Sequence, residues 1–248
     1  MMTVKDIANF TTVDGAPDAR WFVDFMDLAN SVPGYDEIRR TLAHTLGDLA
    51  GKSVLEVGCG TGDDARELAG LVGESGKVVA TDLSAAMLDE ARRRGPGEPA
   101  RIEFRYADLA HLPFADDSFD GARAKMVLMH CEEIDTAIDE LVRVTRTGGR
   151  IAAFDFDFDA TIVDHADQVI TRALMRCYSD GHRNNWSGRQ LVRRFRERDL
   201  GDLVVVPQTV RIPFRFFQMM TAGRLAGEQE ANRLPLSVEE LASWRRSR

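Results

Sequence analysis

The sequence predicts an α/β fold, doubly wound, with a mostly parallel sheet and helices on both faces. Three observations carry this expectation. Short apolar runs alternate with helical stretches in connected units between residues 53 and 156, which is how parallel strands and their crossover helices read. The first apolar run ends in a glycine cluster. Further runs end at acids, Asp82, Asp108 and the stretch from Asp155 to Asp159, and sheets of this kind bind ligands at the carboxyl ends of their strands, where the strand order reverses.

The elements follow in order. Residues 18–50 read as helical, with Trp21, Phe22, Phe25, Met26 and Leu28 at helical spacing. Ile38, Leu42, Leu46 and Leu49 follow the break at Pro33–Gly34. Ser53 to Val57 is a strand, Ala65 to Val72 a helix, and Lys77 to Thr81 a strand. Ser84 to Arg94 is a helix capped by Ser84. Ile102 to Tyr106 is a strand after a turn at Gly95–Pro99, and Phe119 to Met126 is another. Glu132 to Arg146 is a helix closed by Gly148–Gly149, and Arg150 to Phe156 is a fifth strand. Beyond residue 160 come helices at Asp164 to Tyr178 and Gly188 to Arg198. Two further strands are expected at Leu203 to Val206 and Val210 to Phe217, then a helix at Val238 to Trp244 capped by Ser237.

Length and charge narrow the class. With 248 residues and 44% hydrophobic content the chain suits one large domain, alone or with short additions. A formal net charge of -8 repels polyanions, so nucleic acid is not an expected partner. Arg189 to Arg198 reads as a solvated helix face. Cys59, Cys131 and Cys177 have neither metal-ligand nor disulfide spacing, which points to a reducing cytoplasmic compartment. Residues 1–10 show no signal pattern, and no apolar run approaches a membrane span.

The chemistry centres on Val54-Leu55-Glu56-Val57-Gly58-Cys59-Gly60-Thr61-Gly62. Glycines permit a tight turn and close backbone approach to a ligand. The following helix offers free N–H groups and a positive dipole end. Asp82, ending the second strand, can accept two hydrogen bonds from ribose hydroxyls. A P-loop requires a Gly-Lys-Ser/Thr ending, which is absent. A dinucleotide site requires a third glycine where this chain has Asp63, and an acid there repels a pyrophosphate.

The string Glu56-Val57-Gly58-Cys59-Gly60-Thr61-Gly62 resembles the first motif of class I S-adenosylmethionine-dependent methyltransferases, of the bacterial small-molecule type. Asp82-Leu83-Ser84 with Met87-Leu88 is similar to the second motif, and Tyr106-Ala107-Asp108-Leu109 to the third. The resemblance is dense over residues 50–158. It implies a Rossmann-like, seven-stranded sheet that binds S-adenosylmethionine and yields S-adenosylhomocysteine. By it, Gly58, Cys59 and Gly60 lie against the cofactor. Glu56 orients the loop or meets the cofactor amine through water. Asp82 holds the ribose, and Leu83 packs on adenine. Met87 belongs to the same motif, with core packing as its other reading. Asp108 accepts from the adenine amino group, flanked by Ala107 and by Leu109 over the ring. The backbone at Ala124 and Lys125 meets the methionine end. The family's sheet ends in an antiparallel strand. Either Val210 to Phe217 serves as that strand, or the end is missing, or a partner chain supplies it, as in a homo-oligomer.

Residues 1–50 are expected to form a helical lid over a catalytic domain spanning 51–248, whose elements after 158 face the substrate. Closure would exclude water from the sulfonium. The methyl donor is already activated, so positioning supplies much of the rate, and a base is needed only where the nucleophile keeps its proton. Phe154-Asp155-Phe156-Asp157-Phe158-Asp159 alternates with period two, which sets Asp155 and Asp157 on one face of an overhanging strand. His130, Asp157 and His182 are the catalytic candidates. One alternating strand offers too few oxygens for a hard cation, so no metal is expected. The implied function is methyl transfer to an O, N or C atom of a small metabolite in biosynthesis. The alternatives are a peptide or quinone acceptor, a non-methylating partner subunit, or a catalyst of rearrangement.

Overall fold

The computed structural model describes residues 6–95, 101–234 and 236–246. Residues 1–5 of the N-terminal stretch and 96–99 of the expected Gly95–Pro99 turn lie outside them. A 3-10 segment, Ile7–Gly15, leads into α1 (Ala19–Asn30) and α2 (Pro33–Leu46). Asp18 caps α1 by accepting from Trp21 N–H, and Pro33 starts α2 where a missing N–H costs nothing.

Strands and helices then alternate: β1 (Ser53–Val57), α3 (Asp63–Val72), β2 (Lys77–Asp82), α4 (Ala85–Arg93), β3 (Arg101–Tyr106), β4 (Phe119–Lys125), α5 (Ile134–Val144) and β5 (Thr145–Phe154). The sheet is wholly parallel in the order β3-β2-β1-β4-β5. The order reverses between β1 and β4, so a cleft opens above their carboxyl ends.

Period-two alternation divides the two faces. Val54, Val78 and Ala80 pack beneath α2 and α3, while Leu55, Val57, Val79, Ala122 and Ala124 pack against α5 and α7 (Ser187–Arg196). The same alternation places Glu56 and Arg123, register partners on β1 and β4, on the α3 side. Both are buried there, with Arg123 at 0% exposure.

The C-terminal third departs from the expected seven strands. Five strands form among the described residues. Leu203 to Val206 is irregular, with Val204 60% exposed. Val210 to Phe217 is irregular as far as Pro213, where α8 (Phe214–Glu230) begins. Leu203 to Val206 is stopped by Pro207 and finds no strand to pair with. The segment instead lies along α2, with the Gln208 amide donating to Thr41 Oγ1 at 2.7 Å. The outer edge of β5 has no strand partner among the described residues. α6 (Gln168–Asp180) and α9 (Val238–Arg246) complete the chain. Ser237 and Glu240 form a reciprocal capping pair on α9.

The fifth strand also ends early. β5 stops at Phe154, so the Phe154–Asp159 alternation is not a strand overhang. Gly188, at the start of α7, crosses this backbone closely: its N–H donates to Phe156 O, and a Cβ there would come within 2.5 Å of Asp155 O. That approach draws residues 155–157 off the sheet.

Candidate active site

The loop after β1 is shaped by glycines at positive φ: Gly58 (+64°), Gly60 (+50°) and Gly62 (+81°), the last serving as N-cap of α3. A Cβ on Gly58 would meet Val127 Cγ2 at 2.5 Å. The loop is tied to β2 twice. Cys59 N–H donates to Thr81 O at 2.9 Å, and Gly60 N–H donates to Asp82 Oδ2 at 2.7 Å. Ser84 N–H reaches the other oxygen, Oδ1, at 2.9 Å. Burial raises the Asp82 carboxyl, opposed by these backbone donors. Burial likewise pushes the Cys59 thiol well up, so it stays protonated.

Around this loop lies a continuous cleft of about 2630 Å³, larger than the few hundred to about 1,000 Å³ of a single-ligand pocket. Gly58, Cys59, Gly60 and Asp82 line it, with Leu83 and Met87 beside them. Ala107, Asp108 and Leu109 line the part beyond β3, and Lys125 the part above β4. Asp108 is exposed and accepts from Ala110 N–H at 2.9 Å.

Neither the Ala124 nor the Glu56 side chain lines the cleft. Ala124 faces the α5 side, at 1% exposure. Glu56 is at 1% exposure beneath the cleft, with Oε2 accepting from Arg123 Nε at 2.5 Å. Burial raises the Glu56 carboxyl, and Arg123 pulls it the other way. Arg123 also donates to Asp64 O at 2.6 Å. Asp64 in turn meets Arg39 Nε at 2.6 Å and Lys125 Nζ at 2.5 Å. Burial opposes the Asp64 charge, but Lys125 and Arg123 outweigh it and hold the carboxyl below its usual range. Glu56 thus locks the loop's foundation to α3 and α2. Charged residues at alternate positions of otherwise buried strands, Glu56 on β1 and Arg123 and Lys125 on β4, were the legible sign of this network.

The three catalytic candidates separate. His130 lines the cleft, its ring 5.7 Å from that of Phe10. Burial, then His182 and Arg183, lower its pKa to about 4, so it is neutral at pH 7. His182 is buried outside the lining, stacked on Phe158 at 3.6 Å, with Nδ1 at 2.8 Å from Tyr178 O. Asp157 lines the cleft, but its carboxylate is held by the Arg189 guanidinium. Asp155 is the acid turned inward. It lines the cleft at 6% exposure, accepts from the Ser187 hydroxyl and is pushed up to about 7 by burial. The early end of β5 is why the two acids diverge.

The N-terminal elements touch the glycine loop and both ends of α4. Met26 Cε lies 3.0 Å from where a Gly60 Cβ would stand. Asp14 accepts from Ser84 Oγ at 2.5 Å and from Ala85 N–H at 2.8 Å, at the start of α4. Arg94 Nη1 and Nη2 grip Asp27 of α1 at 2.7 and 2.9 Å, at the other end of α4. Neither Asp14 nor Met26 carried a sequence signal of this role. Met126, the residue after β4 and part of the cleft lining, holds φ of 55°, a conformation rare outside glycine.

Comparison with known proteins bears directly on this geometry. Residues 54–149, from β1 through the glycine pair in β5, match the model of a methyltransferase domain. The matched stretch is that of a methyltransferase domain, which supports the class I S-adenosylmethionine-dependent reading. An uncharacterized 37.1 kDa protein in transposon TN4556 of Streptomyces fradiae is 34% identical over 78% of this chain and 55% of its own length. A ubiquinone/menaquinone biosynthesis C-methyltransferase of Hahella chejuensis is 41% identical over 44% of this chain and 45% of its own. The chain thus spans about half the length of the curated relatives it matches. Among solved structures, the 4+2 cyclase SpnF aligns over 85% of this chain and 73% of its own, with a TM-score of 0.55 and 26% identity. The YcgJ protein of Bacillus subtilis shares the fold, at a TM-score of 0.60 and 20% identity, over 83% of this chain and 86% of its own.

Proposed function

We propose that this chain binds S-adenosylmethionine across the carboxyl ends of β1, β2 and β3 and transfers its methyl group to a small organic acceptor held beyond β4 and β5. The acceptor atom is O, N or C. One observation carries the reading: the hydrogen bond from Gly60 N–H to Asp82 joins the glycine loop and the strand-end acid into one cradle. Gly60 and Ser84 take one position on each Asp82 oxygen, and a carboxylate has about four, so others remain for ribose hydroxyls. Asp108, with Leu83 and Leu109, suits the adenine end.

On this reading residues 1–50 are a lid and the elements after 158 form the acceptor side of a domain running from 51 to 248. Met26 above Gly60 and Asp14 on α4 support the lid. The donor carries its own activation, and the chain contributes alignment and exclusion of water. Where the acceptor keeps a proton, Asp155 is the group suited to take it. Its raised pKa makes it a stronger base than the His130 imidazole at about 4. The quinone-methylating relative favours a flat aromatic acceptor, which Phe154 and Phe156 on the cleft wall, their rings 5.3 Å apart, would accommodate.

The likeness to a cyclase over most of the chain favours one second reading, a catalyst of rearrangement that keeps the cofactor without spending it. Incubation with S-adenosylmethionine and a panel of phenols, quinols and amines separates the two. Formation of S-adenosylhomocysteine supports transfer. Calorimetric binding of the cofactor without turnover on any acceptor supports the second reading, and absence of binding overturns both.

A further inference from the structure

We infer that the acceptor end of the cleft is built to hold a compact oxyanion, a carboxylate, sulfonate or phosphate, carried on an apolar body. The inference rests on the reading of this region as an acceptor site. The chain as a whole is acidic, at -8, yet Arg211, Arg215 and Arg245 line the cleft without an ion pair to any described residue. Two other arginines that line the cleft are matched. Arg189 takes Asp157, and Arg183 reaches Glu132 at 3.6 Å.

Arg245 is the decisive residue. One terminal nitrogen of its guanidinium is fully buried and meets no hydrogen-bond acceptor. A guanidinium has five donors and no acceptor capacity. Such a group is costly to bury without an anion, and burial alone weakens its hold on the proton. Its backbone is tied to α8, where the Gln218 side chain donates to the Arg245 carbonyl at 2.8 Å. Arg215 precedes Gln218 by one helical turn and shares its face. Arg211 stands two residues before Pro213, the N-cap of α8. Arg215 and Arg245 thus stand on the helices that the Gln218–Arg245 bond joins, and Arg211 lies just before α8.

The wall behind them is aromatic. Phe214 and His165 line the cleft, backed by the buried Trp244 ring at 5.5 and 5.3 Å. Asp164, exposed in the loop after β5, is a carboxylate lining the same region, and three arginines outweigh it. An oxyanion meeting the guanidinium groups, with an apolar body laid along the rings, satisfies both halves of this surface.

Two fluorescent probes of nearly equal body test this without the methyl donor. They are 8-anilinonaphthalene-1-sulfonate and its uncharged counterpart N-phenyl-1-naphthylamine. The native chain should bind the sulfonate at least about tenfold more tightly, the usual worth of one charge-assisted contact. Arg245→Gln should erase that preference and leave the neutral probe within about twofold, while Arg245→Lys should keep part of it. Should Arg245→Gln fail to fold, the paired Arg211→Gln and Arg215→Gln substitutions carry the same expectation. Equal affinity of the native chain for both probes, or parallel loss of both in the variants, overturns the inference. Calorimetry with S-adenosylhomocysteine on the same proteins should give one affinity throughout. A native chain that bound the sulfonate selectively but not S-adenosylhomocysteine would defeat the methyltransferase reading and leave the anion site standing.

Discussion

Gly58 has no room for a side chain, and its backbone lies where side chains are disfavoured. At φ +64°, with Val127 Cγ2 only 2.5 Å from the point a Cβ would occupy, Gly58→Ala should cost about 1–3 kcal/mol of stability. It should weaken S-adenosylhomocysteine as well, read by thermal denaturation and calorimetry. Asp82→Ala tests the cradle more directly. Loss of charged hydrogen bonds should lower affinity by about 1–3 kcal/mol, and unchanged affinity would remove Asp82 from the ligand. Asp155 makes a prediction in pH. Burial raises its carboxyl from 3.8 to about 7, against donors at Ser187, Met129 and Val127. Between those values the folded chain holds a proton that the unfolded chain releases. Its contribution to stability is therefore complete below about pH 4 and declines as pH rises through about 7. Asp155→Asn should flatten that decline in denaturation midpoints. It should also remove the rise of kcat/KM near pH 7 expected of a base.

Helix α4 is clasped at both ends by the segment above the cleft, by Asp14 at its N-terminus and by the Asp27–Arg94 pair beyond its last turn. Burial opposes the Asp14 charge, but Ser84, Ala85 and Ala86 outweigh it and hold the carboxyl below its usual value. The attachment is thus present above the ordinary carboxyl range and lost as pH falls through the lowered value. Asp14→Ala should cost about 0.5–2 kcal/mol, as loss of a capping acceptor does, and should speed proteolysis in the loop between residues 15 and 18. The elements from α1 to α5 were legible within one or two residues at most of their ends. Caps at Asp18 and Ser84 and strict apolar spacing speak locally, and the tertiary structure agrees with them. Leu203 to Val206 misled because β-branched residues favour a strand only where another strand waits. Phe154 to Asp159 misled because its alternation is real but the sheet beneath it has ended. The glycine loop was readable because positive φ favours glycine there, and Asp82 because it ends the strand beside that loop. Asp155 and Asp157 are chemically alike, and only the crossing by Gly188 determines which turns inward.

On the scale of the whole molecule, the sheet supplies a rigid floor and the helical segments 6–46 and 214–246 supply the walls, so ligand binding should raise the stability of the entire unit. At a hundredfold excess over its Kd, S-adenosylhomocysteine should add about 2.7 kcal/mol, visible as a rise in Tm that NAD does not produce. An equal response to NAD would count against the assigned cofactor. The exposed valines at 204–206 and the open side of β5 are left outside this unit. Ser84 joins floor to wall: its N–H goes to Asp82 and its hydroxyl to Asp14. On the proposed reading, a nucleoside seated on Asp82 would stand two positions along the chain from the Ser84–Asp14 contact. Its residence time should then follow the strength of that contact, and a weaker hold at Asp14 should hasten escape without touching any atom of the guest.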